Sequence, residues 1–233
     1  LVLATAGTSP IVFEQSAFPR HKVCGEFLSP EILPLLEQLG VGERFLALRP
    51  AVVGFAELHF DRHSRRFRLP EPAWGLSRYA FDEMLLGAAV ERGAELRHER
   101  GSASTRAILA AGRRAAASRG ARAFGFKAHF RGAANDAVEL YFFPGGYCGL
   151  CPIEGGATNV CGLVREDVLG ALAFEVDALL RTIPRLARRL AGLERLTRWL
   201  TAGPLRYGRA PLTAGSLAAG DAACFPDPFT GTG

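Results

Sequence analysis

The run Ile11-Val12-Phe13-Glu14 sets three apolar residues before a carboxylate, the pattern of a buried strand in a parallel sheet. Ahead of it, Leu1–Ala6 reads as the last turns of a helix closed by Gly7, because glycine takes the left-handed backbone that ends helices. Ser29-Pro30-Glu31 then reads as a helix start. Serine can cap, proline suits the first helical position, and glutamate complements the dipole. That helix carries Ile32, Leu35, Leu36 and Leu39 on one face and ends at Gly40.

From Ala51 to Leu69 the chain turns strand-like, with Val53, Phe55, Leu58, Phe60, Phe67 and Leu69 separated by polar residues. Arg78 to Arg92 is helical, since Phe81, Met84, Leu85, Ala88 and Ala89 recur at helical spacing before Gly93. Ala107–Ala110 reads as another short buried strand. Residues 122–165 change period: Phe124, Phe126, Ala128 and Phe130, then Val138, Leu140 and Phe142, then Ile153 and Val160, alternate as in an antiparallel sheet. Two helices follow, one carrying Leu172, Val176, Leu179, Leu180 and Ile183, the next Leu186, Leu190, Leu193 and Leu200. Ser216–Ala219 is a last strand entering Gly220-Asp221.

Parallel-sheet pieces thus sit at the start, middle and end, with an antiparallel sheet between them. The expected fold is α/β (α+β mixed): a discontinuous Rossmann-like nucleotide-binding domain with an inserted antiparallel-sheet domain. Residues 1–50, 78–121 and 216–233 form the first; 51–77 and 122–215 form the second, which would meet the substrate.

Composition narrows the function classes. With 233 residues, 48% of them hydrophobic, the chain can bury a real core, and its 27 glycines and 14 prolines form no low-complexity tract. The net charge of +5 is almost all arginine, with only Lys22 and Lys127 as lysines. Its densest run, Arg185 to Arg198, fits the wet face of an amphipathic helix and lacks interleaved aromatics, so no nucleic-acid partner is expected. No apolar run approaches a membrane span, which leaves at most peripheral membrane contact. Five cysteines, an odd number, point to a reduced, cytoplasmic setting. The chain starts at Leu1 and stops at Gly233 inside a glycine-rich turn, so it reads as a piece of something longer.

Three stretches carry candidate chemistry. Glu14, at a strand end, is placed to accept hydrogen bonds from ribose hydroxyls. Arg20-His21-Lys22-Val23-Cys24-Gly25-Glu26 sets two cations beside a glycine, a site for a phosphate or an electron-rich ring. Gly220-Asp221-Ala222-Ala223 followed by Asp227-Pro228-Phe229-Thr230-Gly231-Thr232-Gly233 places a carboxylate and free backbone N–H groups where an anion can sit. Each also has a plainer reading, as a solvated strand end, a polar loop, or an ordinary strand–turn–helix.

Arg20 to Pro30 (RHKVCGEFLSP), Ser77-Arg78 with Phe81-Asp82, Gly145 to Leu150 (GGYCGL) and GDAACFPDPFTGTG together resemble the blocks of geranylgeranyl-reductase-like FAD-dependent oxidoreductases, related to the group A flavin monooxygenases. The blocks keep that order across nearly the whole chain. The resemblance implies FAD as cofactor, with NADPH or another reductant, and a small apolar or aromatic substrate. It implies that Glu14 holds the adenosine ribose and that Arg20 and Lys22, with Cys24 and Gly25 between them and the next block, lie near the flavin. Arg78 faces the ribityl-pyrophosphate, Gly220 and Asp221 bind ribityl or phosphate, and Pro228, Gly231, Thr232 and Gly233 cradle the ring. Tyr147 looks toward substrate.

The departures keep other readings open. No glycine fingerprint precedes Glu14, and Ala111-Gly112-Arg113 stands where related hydroxylases often carry Asp-Gly. A non-catalytic remnant or binding module that holds no FAD is the competing class. Cys148 and Cys151 could form a redox dithiol, but they sit in a sheet strand and not at a helix start, so small buried residues is the expectation. No metal site is expected, because the five histidines show no ligand spacing, and no single catalytic residue can be named.

Overall fold

The computed structural model describes residues 1–101, 107–112, 122–132, 135–205 and 217–224. Its architecture is mixed α/β, organised around one nine-stranded sheet. Across it run Glu194–Arg195, Ala123–Arg131, Ala157–Arg165, Gly146–Pro152, Ala137–Phe143, Ala51–Phe60, His63–Gly75 and Phe27–Leu28, with Leu200–Leu205 also on Ala123–Arg131. The expected antiparallel sheet is therefore present, with one seam of the other kind: Ala51–Phe60 pairs parallel with Ala137–Phe143. That seam joins the hairpin 51–75 to the strands of 122–165.

Period-two alternation decides which side chains the sheet buries. On Ala123–Arg131, Phe124, Phe126, Ala128 and Phe130 share one face. They pack with Leu169, Val176, Leu179, Leu180 and Leu186 from the helices that cover that face. Each fully buried Phe or Leu there stabilises by about 1.5–3 kcal/mol. The alternate residues Gly125, Lys127 and His129 point to the other face, and that face positions the candidate site.

A second core joins helices Ile32–Gln38, Gly42–Ala47 and Arg78–Glu91 through Leu36, Val41, Phe45, Leu76, Phe81 and Ala88. The Phe45 ring meets Trp74 and Phe81 edge-on, at centroid distances of 5.8 and 6.1 Å. The long helix begins as its sequence requires. Ser77 is extended, and its side chain accepts a hydrogen bond from Ala80 N at 3.2 Å.

Several local expectations need correction. The Ser29-Pro30-Glu31 start is displaced: the helix begins at Ile32, Glu31 occupies the cap position, and no side chain caps it. The pair of helices after the sheet is three short ones, Glu166–Gly170, Val176–Arg181 and Pro184–Leu190. Ala173 and Phe174 take φ of 53° and 61°, which breaks the helical path between the first two. Leu200 belongs to a strand, and Glu95–Arg97 is a strand that the sequence pattern did not reveal.

Two small parallel ribbons complete the fold: Ile11–Phe13 with Glu95–Arg97, and Ile108–Leu109 with Leu217–Ala218. Both were expected to be buried. Instead Ile11, Phe13 and Ile108 are 43%, 44% and 47% exposed. Parallel strands are buried when layers cover both faces, and each ribbon here is two strands wide among the described residues.

Candidate functional site

The segment from Glu14 to Glu26 crosses from the first parallel ribbon to the polar face of the large sheet. Glu14 follows its strand directly, its N–H bonded to Arg97 O at 3.1 Å. Its carboxylate lies 3.8 Å from Arg20 Nη2. Arg20 and Lys22 both stand over the Phe18 ring, 5.6 and 4.8 Å from its centroid. Lys22 Nζ lies 2.6 Å from Asp82 Oδ2, and Arg78 grips the same carboxylate through Nε (2.6 Å) and Nη2 (2.8 Å). Glu14, Arg20, Lys22, Asp82 and Arg78 therefore form one polar seam in which three cations meet two carboxylates.

The seam has spare donor capacity. Arg20 Nε is buried and has no hydrogen-bond partner among the described residues. Burial opposes the charge on Arg78, but its hydrogen bond to Asp82 and the neighbouring Cys24 outweigh that and raise its pKa. Asp82 is likewise penalised by burial yet held below the usual carboxylate range by hydrogen bonds from Arg78 and Lys22. A buried unpaired N–H is costly unless a ligand satisfies it. The donor set, an excess of fixed cations with an orphaned guanidinium nitrogen, fits a phosphate-bearing, electron-rich group.

Beneath the seam lies a buried charged centre. Glu26 is 1% exposed, as is Lys127. Lys127 Nζ donates to Glu26 Oε1, Arg78 N donates to the same oxygen at 2.7 Å, and His129 Nε2 lies 2.7 Å from Oε2. Burial pushes the Glu26 carboxyl up, but the His129 hydrogen bond and the Lys127 charge outweigh it and hold the pKa below the ordinary value. His21, on the exposed side, meets His129 edge-on at 5.1 Å and Tyr79 at 4.9 Å. Its pKa is lowered, first by burial and then by the charges of His129 and Lys127.

The remaining expected residues are placed unevenly. Cys24 and Gly25 lie in the same segment, where Asn159 Nδ2 donates to the carbonyl oxygens of both at 2.9 Å. Gly220, with φ of 59°, opens a short turn of 3-10 helix that includes Asp221, directly after the Leu217–Ala218 strand. Among the described residues, no hydrogen bond or ion pair ties Asp221 to Arg20, Lys22 or Arg78. Tyr147 packs with Ala123, Leu163 and Leu205. Pro228, Gly231, Thr232 and Gly233 lie outside the described residues.

The sequence offered Glu26 only as the end of the Arg20–Glu26 stretch, without a role, and gave none to Lys127, His129 or Asn159. One signal was available: Lys127 and His129 interrupt, at alternate positions, a strand whose other face is apolar. Sequence reasoning also passed over Glu57, His59 and Glu139, which gather three possible ligand atoms within 4.8 Å of one another. Arg66 already binds Glu57, and Arg189 Nε binds Glu139 at 3.0 Å. The carboxylate charge is balanced by guanidinium, so the trio makes little electrostatic demand for a cation.

Cys148 and Cys151 are buried, as the sequence suggested. Three residues apart on the strand Gly146–Pro152, they point to opposite faces of the sheet. Burial pushes both thiols well up. Neither feature suits a redox dithiol.

The chain shares its fold with flavin-dependent oxidising enzymes: the myxobacterial chondrochloren halogenase CndH, an FAD-dependent halogenase, superposes with a TM-score of 0.78 at 21% identity, over 97% of this chain and 65% of that one. The flavin-dependent halogenase CmlS gives 0.78 at 20% identity, over 99% of this chain and 52% of that one. PqsL of P. aeruginosa, solved with 2-aminobenzoylacetate, gives 0.78 at 16%, over 100% and 77%. At such identities the fold is what is shared, and this chain spans about two thirds of the first enzyme and half of the second. No protein-family model and no curated protein sequence matches the chain.

Proposed function

We propose that the chain is the greater part of an FAD-dependent oxidoreductase acting on a small apolar or aromatic molecule. The observation that carries this reading is the seam of Arg20, Lys22 and Arg78, with an unsatisfied buried Arg20 Nε, on a fold shared with FAD-dependent halogenases. Bound FAD would supply two-electron chemistry, either hydride transfer to an alkene or oxygen-dependent hydroxylation or halogenation. The halogenase likeness favours the oxygen-dependent kind over a prenyl-type reductase.

The chain's own residues would bind and orient. Arg20, Lys22 and Arg78 offer charge-assisted donors to phosphate or to the electron-rich edge of the ring. Glu14 and Asp221 offer acceptors to sugar hydroxyls. Cys24, Gly25 and Gly220 would stand beside the bound group, and the other expected cofactor residues, Pro228, Gly231, Thr232 and Gly233, lie outside the described residues. Residues 1–50, 78–121 and 216–233 form the cofactor part, and 51–77 with 122–215 the substrate part, with Tyr147 facing substrate. A reductant such as NADPH would recharge the flavin. Five free cysteines support work in a reducing, cytoplasmic setting. Among the described residues no helix is long and apolar enough to cross a membrane, and contact with a membrane surface stays compatible with an apolar substrate.

Titration of the purified chain with FAD, followed by quenching of flavin fluorescence and by the bound absorbance spectrum, tests the reading. Saturable one-to-one uptake is expected, weakened at least tenfold by Arg20→Gln, which corresponds to about 1.4 kcal/mol. A colourless chain that takes up no FAD would instead establish the non-catalytic remnant.

A further inference from the structure

We propose that Glu26 is the positioning residue of the cofactor seat: one buried carboxylate holds the Arg20–Lys22 segment and the Arg78 helix in register on the sheet. The inference rests on the flavin reading above, and its own content is the assignment of a residue that touches no ligand.

Three elements meet at this side chain. Its backbone belongs to the segment bearing Arg20 and Lys22. Its Oε1 accepts from Lys127 of the sheet and, at 2.7 Å, from Arg78 N at the start of the helix. Its Oε2 lies 2.7 Å from His129 Nε2, a second residue of the same strand. The backbone confirms how tightly it is held. Glu26 adopts φ of 57°, a left-handed conformation unfavourable for a residue with a side chain, and its carbonyl accepts from Leu76 N at 3.1 Å. Such strain persists where surroundings over-determine it, commonly at functional sites.

The arrangement exceeds what anchoring a loop requires. A loop can be anchored by apolar packing, without burying a lysine at 1% exposure. Here the anchor reaches the two places from which the cations project: four residues before Glu26 stands Lys22, and the helix N–H it accepts belongs to Arg78. Lys22 and Arg78 then converge on Asp82. Moving Glu26 would therefore shift both cations relative to each other, although it contacts neither side chain's charged end.

Stability and positioning can be separated experimentally. Replacing a whole buried ion pair by apolar residues of similar length is often neutral for stability, whereas removing one partner is not. The double variant Glu26→Met with Lys127→Met, which leaves Arg78 N and His129 Nε2 without their acceptor, is expected to unfold cooperatively at a lowered midpoint, and where it is folded to bind FAD at least tenfold more weakly than wild type. Amide exchange at residues 20–25 should quicken in the cofactor-free protein, while amides of Ala157–Arg165 stay unchanged. A folded double variant that binds FAD within twofold of wild type overturns the assignment. Should the double variant fail to fold, Glu26→Asp keeps the charge but shortens its reach. Threefold or greater weakening is then expected, and unchanged affinity overturns the proposal. A wild type that takes up no FAD overturns the flavin reading itself, whereas tight wild-type binding with an indifferent variant removes only the role of Glu26.

Discussion

His129 Nε2 and Glu26 Oε2 lie 2.7 Å apart across 103 residues of sequence, in a pocket where Glu26 is 1% exposed. This contact, with Lys127 beside it, ties the N-terminal segment to the strand Ala123–Arg131. Removing Lys127 alone leaves the Glu26 charge with His129 as its one remaining side-chain partner. Lys127→Met should therefore destabilise by about 3–5 kcal/mol in urea unfolding, the usual cost of breaking a buried pair. A loss below about 1 kcal/mol would show that the centre is hydrated in solution.

Stability should be level from pH 7.5 to about 6.5 and fall as pH drops further toward 4. His21 and His59 both have folded pKa values below the ordinary 6.5, burial being the first cause for each. The unfolded chain takes up these protons more readily, so the two histidines cost nothing above 6.5 and destabilise progressively below it. Glu26 acts in the same direction at lower pH. Its folded pKa is depressed below 4.5, so its contribution is present above 4.5 and lost as pH falls through the folded value. Melting curves at half-unit intervals check this, and His59→Gln should flatten the slope between pH 6.5 and 5.5. An unchanged slope would remove His59 as a contributor.

The sequence was most legible where one period governed a long run. The alternation of Phe124, Phe126, Ala128 and Phe130 and the helical spacing of Phe81, Met84, Leu85 and Ala88 both correspond to observed elements. It was least legible in short elements, whose limits tertiary contacts set. The helix break puts left-handed backbone on Ala173 and Phe174, residues with side chains, and Gly170 just before them lies on an otherwise helical pattern. Of the candidate site, Glu14, Arg20, Lys22 and Arg78 were readable from local motifs, and the structure links them through Phe18 and Asp82. Lys127 and His129 stand out by alternation, but their pairing with Glu26 was not readable, because the partners are about 100 residues apart and nothing local says which strand the segment will cross.

Thiol reactivity should divide the five cysteines sharply. Cys148 and Cys151 are buried with pKa pushed well up by desolvation, and Cys161 is pushed up to about 12 by burial and then by the neighbouring Cys24. Cys224 is exposed. An aromatic disulfide reagent at pH 8 should label Cys224 within seconds to minutes and leave Cys148 and Cys151 untouched until denaturant is added. Peptide mapping of the labelled protein reads this directly. Fast labelling of Cys148 or Cys151 would mean that the central strands open in the native state.

Two glycine-to-alanine changes should move stability in opposite directions. A Cβ at Gly75 would stand 1.8 Å from Pro152 O and 3.2 Å from Cys151 Sγ, inside a backbone contact that no rotamer change can relieve. Gly75 is paired on both sides, with Ala51 and with Phe27, so the strand cannot shift without disturbing its neighbours. Gly75→Ala should cost about 1–3 kcal/mol, the range for overpacking. It lies two residues before Ser77, whose N–H donates to Glu154 at 2.8 Å, so the start of the Arg78 helix should loosen too. At Gly87, inside that helix, a Cβ would meet nothing within 4 Å. Gly87→Ala should stabilise by about 0.5–1 kcal/mol, because alanine loses less backbone entropy on entering a helix. Equilibrium urea unfolding of both variants measures the pair. A stabilising Gly75→Ala would mean that the strand His63–Gly75 and the turn after Cys151 stand further apart in solution than this packing places them.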